Sequence, residues 1–417
     1  MNTKPKWTVL VYMAADTSDS FYRDAMADVS EMMEARFPAE VKVIVHADAP
    51  SPWKGQCWRV KGVSQGNGGH GATPKGNAYV SKDCHHNGVL DFVKQSIEES
   101  DSEYYLLVLW GHGEGIDWKQ KVIGPNVQTA AVNKRFALGS QNAVEVGDLA
   151  TALSGLELKN IKGAKLNRHH VVVGFDACLM GMVEVYNEIK QHVGWGFGTS
   201  DEIPVAGWPY KEILNLLGKD QKIPPRELTR CLVETCTTWY SDNSADTKIG
   251  FAGCDLSHSD SVLSAMKELT AQLAKGINDQ KTWQAVWDAR SFAEDLQEVA
   301  YVDLFAFCYE LASRLGQSSL SGAAINVSNA LDQFILKSDF SNSYPNAYAE
   351  HSRSLSICFP ESAERIGSTP NLEVNWESYQ KLQFSESTNW PYFLRKFWEI
   401  QRSGGDRRKP LAKAAKG

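Results

Sequence analysis

Residues 7–14 read WTVLVYMA, a nearly unbroken apolar run rich in β-branched and aromatic side chains, and Asp16 closes it. A strand covered on both faces carries such a run, whereas a half-exposed strand alternates apolar with polar. Downstream, the stretch 21–36 sets Ala25, Met26, Val29, Met32 and Met33 at helical spacing, and residues 41–47 (VKVIVHA) make a second strand. Strand, helix, strand in this order is a crossover unit with parallel strands. The pattern recurs, with a helix over 88–99, a buried strand at 104–110 (YYLLVLW) and a short helix over 144–153. A fourth central strand at 170–175 (HVVVGF), a helix over 179–190 and a strand at 193–199 follow. The expected fold class is α/β, a sandwich of helices around a mostly parallel central sheet.

The second half is mostly helical, with helices expected over 226–240, 257–275, 302–314 and 390–400 and strands at 249–254 and 353–359. The division this suggests is a catalytic core over 1–210, a helical part over 211–400 completing the sandwich, and a basic tail over 401–417. Stretches 48–87 and 117–141 are polar and irregular, and there is no internal repeat.

Composition narrows the partners. The chain has 417 residues, 43% hydrophobic, and 43 Lys and Arg against 50 Asp and Glu leave a net charge of −7. A mildly acidic surface gives no reason to expect nucleic acid or anionic lipid as a partner. No segment reaches the apolar length of a membrane span. Lys4 and Lys6 precede too short an apolar run for an export signal. The chain is therefore expected in the cytoplasm if the sequence is complete, or outside the cell if a signal has been removed. A monomer is expected. The eight cysteines, at 57, 84, 178, 231, 236, 254, 308 and 358, are irregularly spaced without a CxxC pair, so neither a disulfide framework nor zinc is indicated.

In open α/β sheets, functional groups collect at the carboxyl ends of the parallel strands. Two polar points sit at such ends: Gly111-His112-Gly113 after YYLLVLW, and Asp176-Ala177-Cys178 after HVVVGF. Neighbouring parallel strands would bring a thiol and an imidazole together there. Such a pairing lowers the thiol pKa and generates the reactive thiolate. The amides of Gly113 and Cys178 would then hold a developing oxyanion, each donor contributing roughly 2.7–4 kcal/mol. A helix opening at Leu179 would add its N-terminal field to the thiolate. The plainer alternative is that a cysteine after a strand is a small buried hydrophobe, as Cys231, Cys236, Cys254, Cys308 and Cys358 are expected to be. A histidine between glycines can likewise be a turn residue only. His46 with Asp48 faintly suggests a metal site but lacks a third ligand at matching spacing. No metal is assigned.

Six segments together resemble one family. WTVLVYMAAD at 7–16, LLVLWGHGEG at 106–115, GFDACLMGMVEV at 174–185, TSDEIPVAGWPY at 199–210, YVDLFAF at 301–307 and RSLSICFP at 353–360 are similar to landmarks of the clostripain-like cysteine peptidases. These belong to the wider caspase-like group. The resemblance implies a caspase-like α/β/α sandwich with a His–Cys dyad, His112 as base and Cys178 as nucleophile. It also implies cleavage of peptides after Arg or Lys, with Asp176 in the floor of the specificity pocket and Asp201 a second source of negative charge. Against this stands the option that Asp176 merely caps the following helix. Some members cut themselves in the loop after the histidine motif, where Lys134-Arg135 is the dibasic candidate here. Calcium helps some members; this chain has no EF-hand loop, and no cofactor is required. The sequence departs from the family at Thr17 to Ser20, where an Asn-rich turn is usual, and before the third strand. A non-catalytic adaptor binding basic peptides on the same fold is the alternative function. A dinucleotide-binding oxidoreductase is not indicated, because Ala14-Ala15-Asp16 follows the first strand instead of GxGxxG.

Overall fold

The computed structural model describes residues 5–50, 56–61, 77–80, 89–113, 115–116, 150, 153, 160–161, 164–165, 167–293, 300–362 and 376–403. Its strands are β1 (Trp7–Met13), β2 (Val41–Ala47), β3 (Gln56–Lys61), β4 (Asn77–Val80), β5 (Tyr104–Trp110), β6 (Asn160–Ile161) and β7 (Ala164–Lys165). They continue with β8 (Val171–Asp176), β9 (Trp195–Gly198), β10 (Gly250–Asp255), β11 (Tyr301–Asp303), β12 (Ile335–Phe340) and β13 (Ser356–Cys358). Among the described residues one sheet has nine strands, in the order β12-β10-β9-β8-β5-β1-β2-β3-β4. Its centre, β9-β8-β5-β1-β2, is parallel, and antiparallel strands close both sides.

Successive strand residues point to opposite faces, and both faces are covered. Val9, Val11, Leu106, Val108 and Val172 pack beneath helices Asp19–Glu34, Tyr210–Lys219 and Pro225–Asn243. Leu10, Leu107, Val171, Val173 and Phe175 pack beneath helices Val89–Ser100, Val183–Ile189 and Ser259–Gly276 and the C-terminal helices. This is why the central strands read as continuous apolar runs. Helix Asp19–Glu34 starts where Ser18 accepts a hydrogen bond from the Phe21 amide.

The stretch 211–400 is more than a helical addition, since β10 and β12 extend the central sheet. A division at residue 210 therefore falls within one continuous sheet. A correction concerns the segment after β8. The expected helix from Leu179 begins only at Val183. Residues 179–182 bond sideways instead: the Leu179 amide donates to the Asp201 carbonyl (2.9 Å), the Gly181 amide to the Thr199 carbonyl (2.6 Å), and Met182 bridges to Ser356. Leu179 is held at φ 62°, a left-handed conformation that costs a non-glycine residue of order 1–3 kcal/mol. The chain thus bends sharply immediately after Cys178.

Candidate active site

The register of the sheet builds the site. Trp110 of β5 pairs with Asp176 of β8, and the Gly111 amide adds a final bond to the Asp176 carbonyl (3.2 Å). His112 and Cys178 each lie two residues beyond that last rung, on neighbouring tips. Gly113 lies directly against the peptide of Cys178. A Cβ at this position would overlap the Cys178 carbonyl oxygen and lie 2.8 Å from its amide nitrogen and 2.9 Å from the Ala177 Cβ. Only glycine permits this approach. The histidine and cysteine segments are therefore in contact through their backbones.

Each side chain has its own support. The His112 ring stacks on Phe21, with centroids 4.2 Å apart and planes within 5°, and Phe21 in turn lies 4.5 Å from the Trp110 ring. His112 keeps an exposed edge. Loss of solvent on its other side holds its pKa below the usual imidazole value. The Cys178 sulfur is partly buried and accepts a hydrogen bond from the Ile203 amide (3.2 Å). Burial pushes the thiol pKa up, as do the nearby charges of Glu202 and Asp176, while the Ile203 amide partly offsets them. These directions are opposite to those of a preformed thiolate–imidazolium pair. Both directions favour a neutral thiol and a neutral imidazole. No helix field acts on the thiol at close range, because the helix begins five residues downstream.

Asp176 faces the side of the sheet covered by helix Asp19–Glu34. It is 3% exposed, and its Oδ2 accepts bonds from the Trp208 amide (3.2 Å) and the Tyr210 hydroxyl (2.7 Å). It caps nothing: the helix starting at Val183 has Met182 at its cap, without a side-chain bond. Beside Asp176 lies a second buried carboxyl group, Asp28, which accepts from the Trp110 indole (2.8 Å). Gly207 covers both, and a Cβ there would lie 3.1 Å from Asp176 Oδ2 and 3.5 Å from Asp28 Oδ2. Desolvation, then the Asp176 charge, pushes the Asp28 pKa up to about 9. Desolvation also raises Asp176 to about 7, against the two hydrogen bonds it accepts. Near neutral pH this buried pair therefore retains at least one proton.

Asp201 does not fit its expected place in a substrate pocket. It is fully buried, its Oδ2 accepting from the Gly250 amide (2.8 Å) and its Oδ1 from the Tyr344 hydroxyl. The exposed carboxylate on this segment is Glu202. Lys134 and Arg135 lie outside the described residues. Among the described residues no cluster of three His, Cys, Asp or Glu side chains could hold a metal ion. His46 bonds to Asp48 (3.0 Å), which also accepts from Tyr12 (2.6 Å), so this pair is a buried polar tie between strands. No helix among the described residues is long and apolar enough to cross a membrane.

The sequence profile of the clostripain family matches residues 11–398. The chain belongs to the clostripain family. The match spans the histidine and cysteine motifs and continues into the last helix. A secreted C11 cysteine protease from Bacteroides thetaiotaomicron, solved in complex with an irreversible peptide inhibitor, is 16% identical with a TM-score of 0.62, over 93% of this chain and 99% of that one. An inactive zymogen C11 protease from Parabacteroides distasonis is 18% identical with a TM-score of 0.58, over the same shares. A further structure of a secreted Bacteroides thetaiotaomicron enzyme, iotapain, is 17% identical with a TM-score of 0.59, again covering 93% and 99%. At such identities the likeness shows a shared fold: the caspase-like α/β sandwich of C11 proteases with its C-terminal helical extension. No curated protein sequence matches the chain.

Phe21, Asp28, Tyr210 and Ile203 are site residues that sequence reading did not single out. Phe21 and Asp28 are seven positions apart, two helical turns on one face, so the helix periodicity was the available signal. Nothing local in the sequence announces that the Ile203 amide reaches the sulfur.

Proposed function

We propose that this clostripain-family chain is a cysteine endopeptidase that hydrolyses peptide bonds after Arg or Lys. The observation that carries this is Gly113 pressed against the peptide of Cys178, which supports a joint site between the two motifs. Cys178 attacks the scissile carbonyl as His112 takes its proton, and the protonated imidazole then passes that proton to the leaving amine. Water activated by His112 hydrolyses the thioester. The Gly113 and Cys178 amides hold the oxyanion. Phe21 fixes the imidazole plane, and the bend at Leu179 projects the thiol from the strand tip.

Asp176 receives the cationic side chain. A guanidinium there favours the ionised carboxylate and draws a proton from the Asp176–Asp28 pair. Cleavage at Lys134-Arg135 is proposed as self-processing, a reading supported by the zymogen state of the Parabacteroides distasonis relative.

The test is a fluorogenic peptide library with wild type, Cys178→Ala, His112→Ala and Asp176→Asn, alongside mass spectrometry of each purified chain. Cys178→Ala should be inactive and uncut. Asp176→Asn should lose cleavage after Arg far more than after a neutral residue. Full activity in Cys178→Ala would sink the dyad, and an equal loss on both substrates would remove Asp176 from the pocket. An adaptor would bind Arg peptides without cutting them.

A further inference from the structure

Both backbone polar groups of Ile203 face the Cys178 sulfur: the Ile203 amide donates to Sγ (3.2 Å), and the thiol donates to the Ile203 carbonyl (3.8 Å). The backbone sets up this contact. The Gly181 amide bonds to the Thr199 carbonyl and the Leu179 amide to the Asp201 carbonyl, an antiparallel register in which one segment steps back two residues as the other advances two. Carried one step further, that register sets Ile203 opposite Ala177, at the foot of Cys178. The segment has little freedom to leave. Asp201 is tied to the Gly250 amide and the Tyr344 hydroxyl. Downstream, the Gly207 amide bonds to the Pro204 carbonyl (2.9 Å), and the Tyr240 hydroxyl holds the Gly207 carbonyl (2.8 Å). His112 takes no part in this arrangement. Its ring stacks on Phe21, and no hydrogen bond or ion pair joins it to Cys178, although the Gly113 and Cys178 backbones touch.

We propose that Ile203 is a positioning residue for the nucleophile: its backbone docks the Cys178 thiol in a resting position apart from His112, and the sulfur turns from Ile203 to His112 before attack. A neutral thiol carries one weak donor and one weak acceptor, and Ile203 meets both. Proton removal instead needs the imidazole within about 2.6–3.2 Å of the sulfur, or one water away. The motion available is a rotation about χ1, which moves the sulfur between staggered wells without moving the backbone. Docking and attack are therefore two positions of one side chain, and the Phe21-stacked imidazole waits at the second. The inference rests on Cys178 as nucleophile and His112 as base, and its tests are read without peptide hydrolysis.

The first test is NMR on protein labelled with 15N-isoleucine and 15N-histidine. Cys178→Ala should shift the Ile203 amide, assigned with Ile203→Val, more than any other isoleucine amide, and leave the His112 ring nitrogens in place. A shifted His112 ring beside an unmoved Ile203 amide overturns the dock. The second test replaces Ile203 by its α-hydroxy acid analogue, incorporated at an amber codon. An ester oxygen then stands where the N–H was, the side chain is unchanged, and melting curves check the fold. Iodoacetamide labelling of Cys178 at pH 7.5, followed by mass spectrometry of its peptide, should run about fivefold faster, because a released thiol ionises beside the imidazole and the thiolate is the reactive form. The same replacement in His112→Ala protein should give no gain. A rate that stays level or falls, or a gain that persists without His112, overturns the inference. A chain that passes both tests and yet hydrolyses no peptide would refute the peptidase reading while leaving the dock in place.

Discussion

Gly113→Ala is the perturbation that most directly probes how the two motifs meet. The added Cβ overlaps the Cys178 carbonyl oxygen and stands 2.8 Å from its amide nitrogen. Both atoms are backbone, so neither can swing aside as a side-chain end would. The Gly113 or Cys178 peptide has to move. Overpacking of this kind costs about 1–3 kcal/mol of stability, so the protein should still fold with a modestly lower Tm. The catalytic effect is larger in kind, because both proposed oxyanion donors belong to the displaced groups. Loss of one well-placed donor costs roughly 10²–10³ in kcat, about 2.7–4 kcal/mol. The assay compares kcat on an Arg-containing fluorogenic peptide with the rate of Cys178 alkylation by iodoacetamide. Alkylation attacks a saturated carbon and develops no oxyanion, so it should stay within a few-fold of wild type while hydrolysis falls by two to three orders of magnitude. Hydrolysis within tenfold of wild type would refute the assignment of these amides. An equal collapse of both rates would mean that the substitution displaced the sulfur itself.

Three further outcomes follow from the environment of the site. Burial raises the Cys178 thiol above 9.0 and lowers His112 below 6.5, so alkylation of the resting enzyme should keep climbing past pH 9. An acid plateau near pH 5 would instead reveal a preformed ion pair. Phe21→Ala removes the ring stacked on His112; kcat should drop severalfold, and the acid limb of kcat/KM should move upward as the imidazole regains solvent, a shift that mere destabilisation would not produce. Asp28 ionises near pH 9 when folded and near 4 when unfolded, so it binds its proton more tightly in the native state. Its stabilising effect is complete below about pH 4 and is lost as pH rises toward 9, at up to about 1.4 kcal/mol per pH unit. Asp28→Asn cannot ionise and can still accept from the Trp110 indole, so its Tm should gain on wild type steadily between pH 5 and 9; a constant difference would contradict the raised pKa.

The parallel centre of the sheet was legible because its strands are covered on both faces. Uninterrupted runs such as YYLLVLW have no other comfortable place in an α/β fold. Helices with one clear apolar stripe, such as Pro225–Asn243, were legible for the same reason. What misled was chemistry that depends on neighbours. LeuMetGlyMet after Cys178 has ordinary helical composition, yet its amides bond to the Thr199–Asp201 segment, and that long-range competition outweighs propensity. Asp201 and Glu202 are adjacent acids with no local difference; only the strand beside them decides that one is buried beneath Tyr344 and the other is exposed. The pentapeptide GVSQG at 62–66 also has the GxSxG spacing of a serine hydrolase. It stands in a glycine-rich polar stretch rather than between an apolar strand run and a helix pattern, and so lacks the context such a motif requires.

The resting thiol is kept neutral partly by negative charge: Glu202 first, then Asp176, disfavour the thiolate beyond the effect of burial. On the proposed function these are the charges that a basic substrate meets. A guanidinium seated over Asp176 offsets the carboxylate's field at the sulfur. On that reading, substrate binding lowers the thiol pKa, and the thiol becomes reactive when the Asp176 pocket is filled. The expectation is that agmatine, a small guanidinium that carries no scissile bond, accelerates iodoacetamide alkylation of Cys178 near pH 7.5, whereas uncharged pentylamide of similar length does not. Asp176→Asn should raise the basal alkylation rate and shrink the agmatine effect together, because part of each arises from the Asp176 charge. Agmatine that leaves the rate unchanged or slows it at every concentration would show that the acidic groups serve binding alone and that the thiol is activated by His112 without help from the substrate.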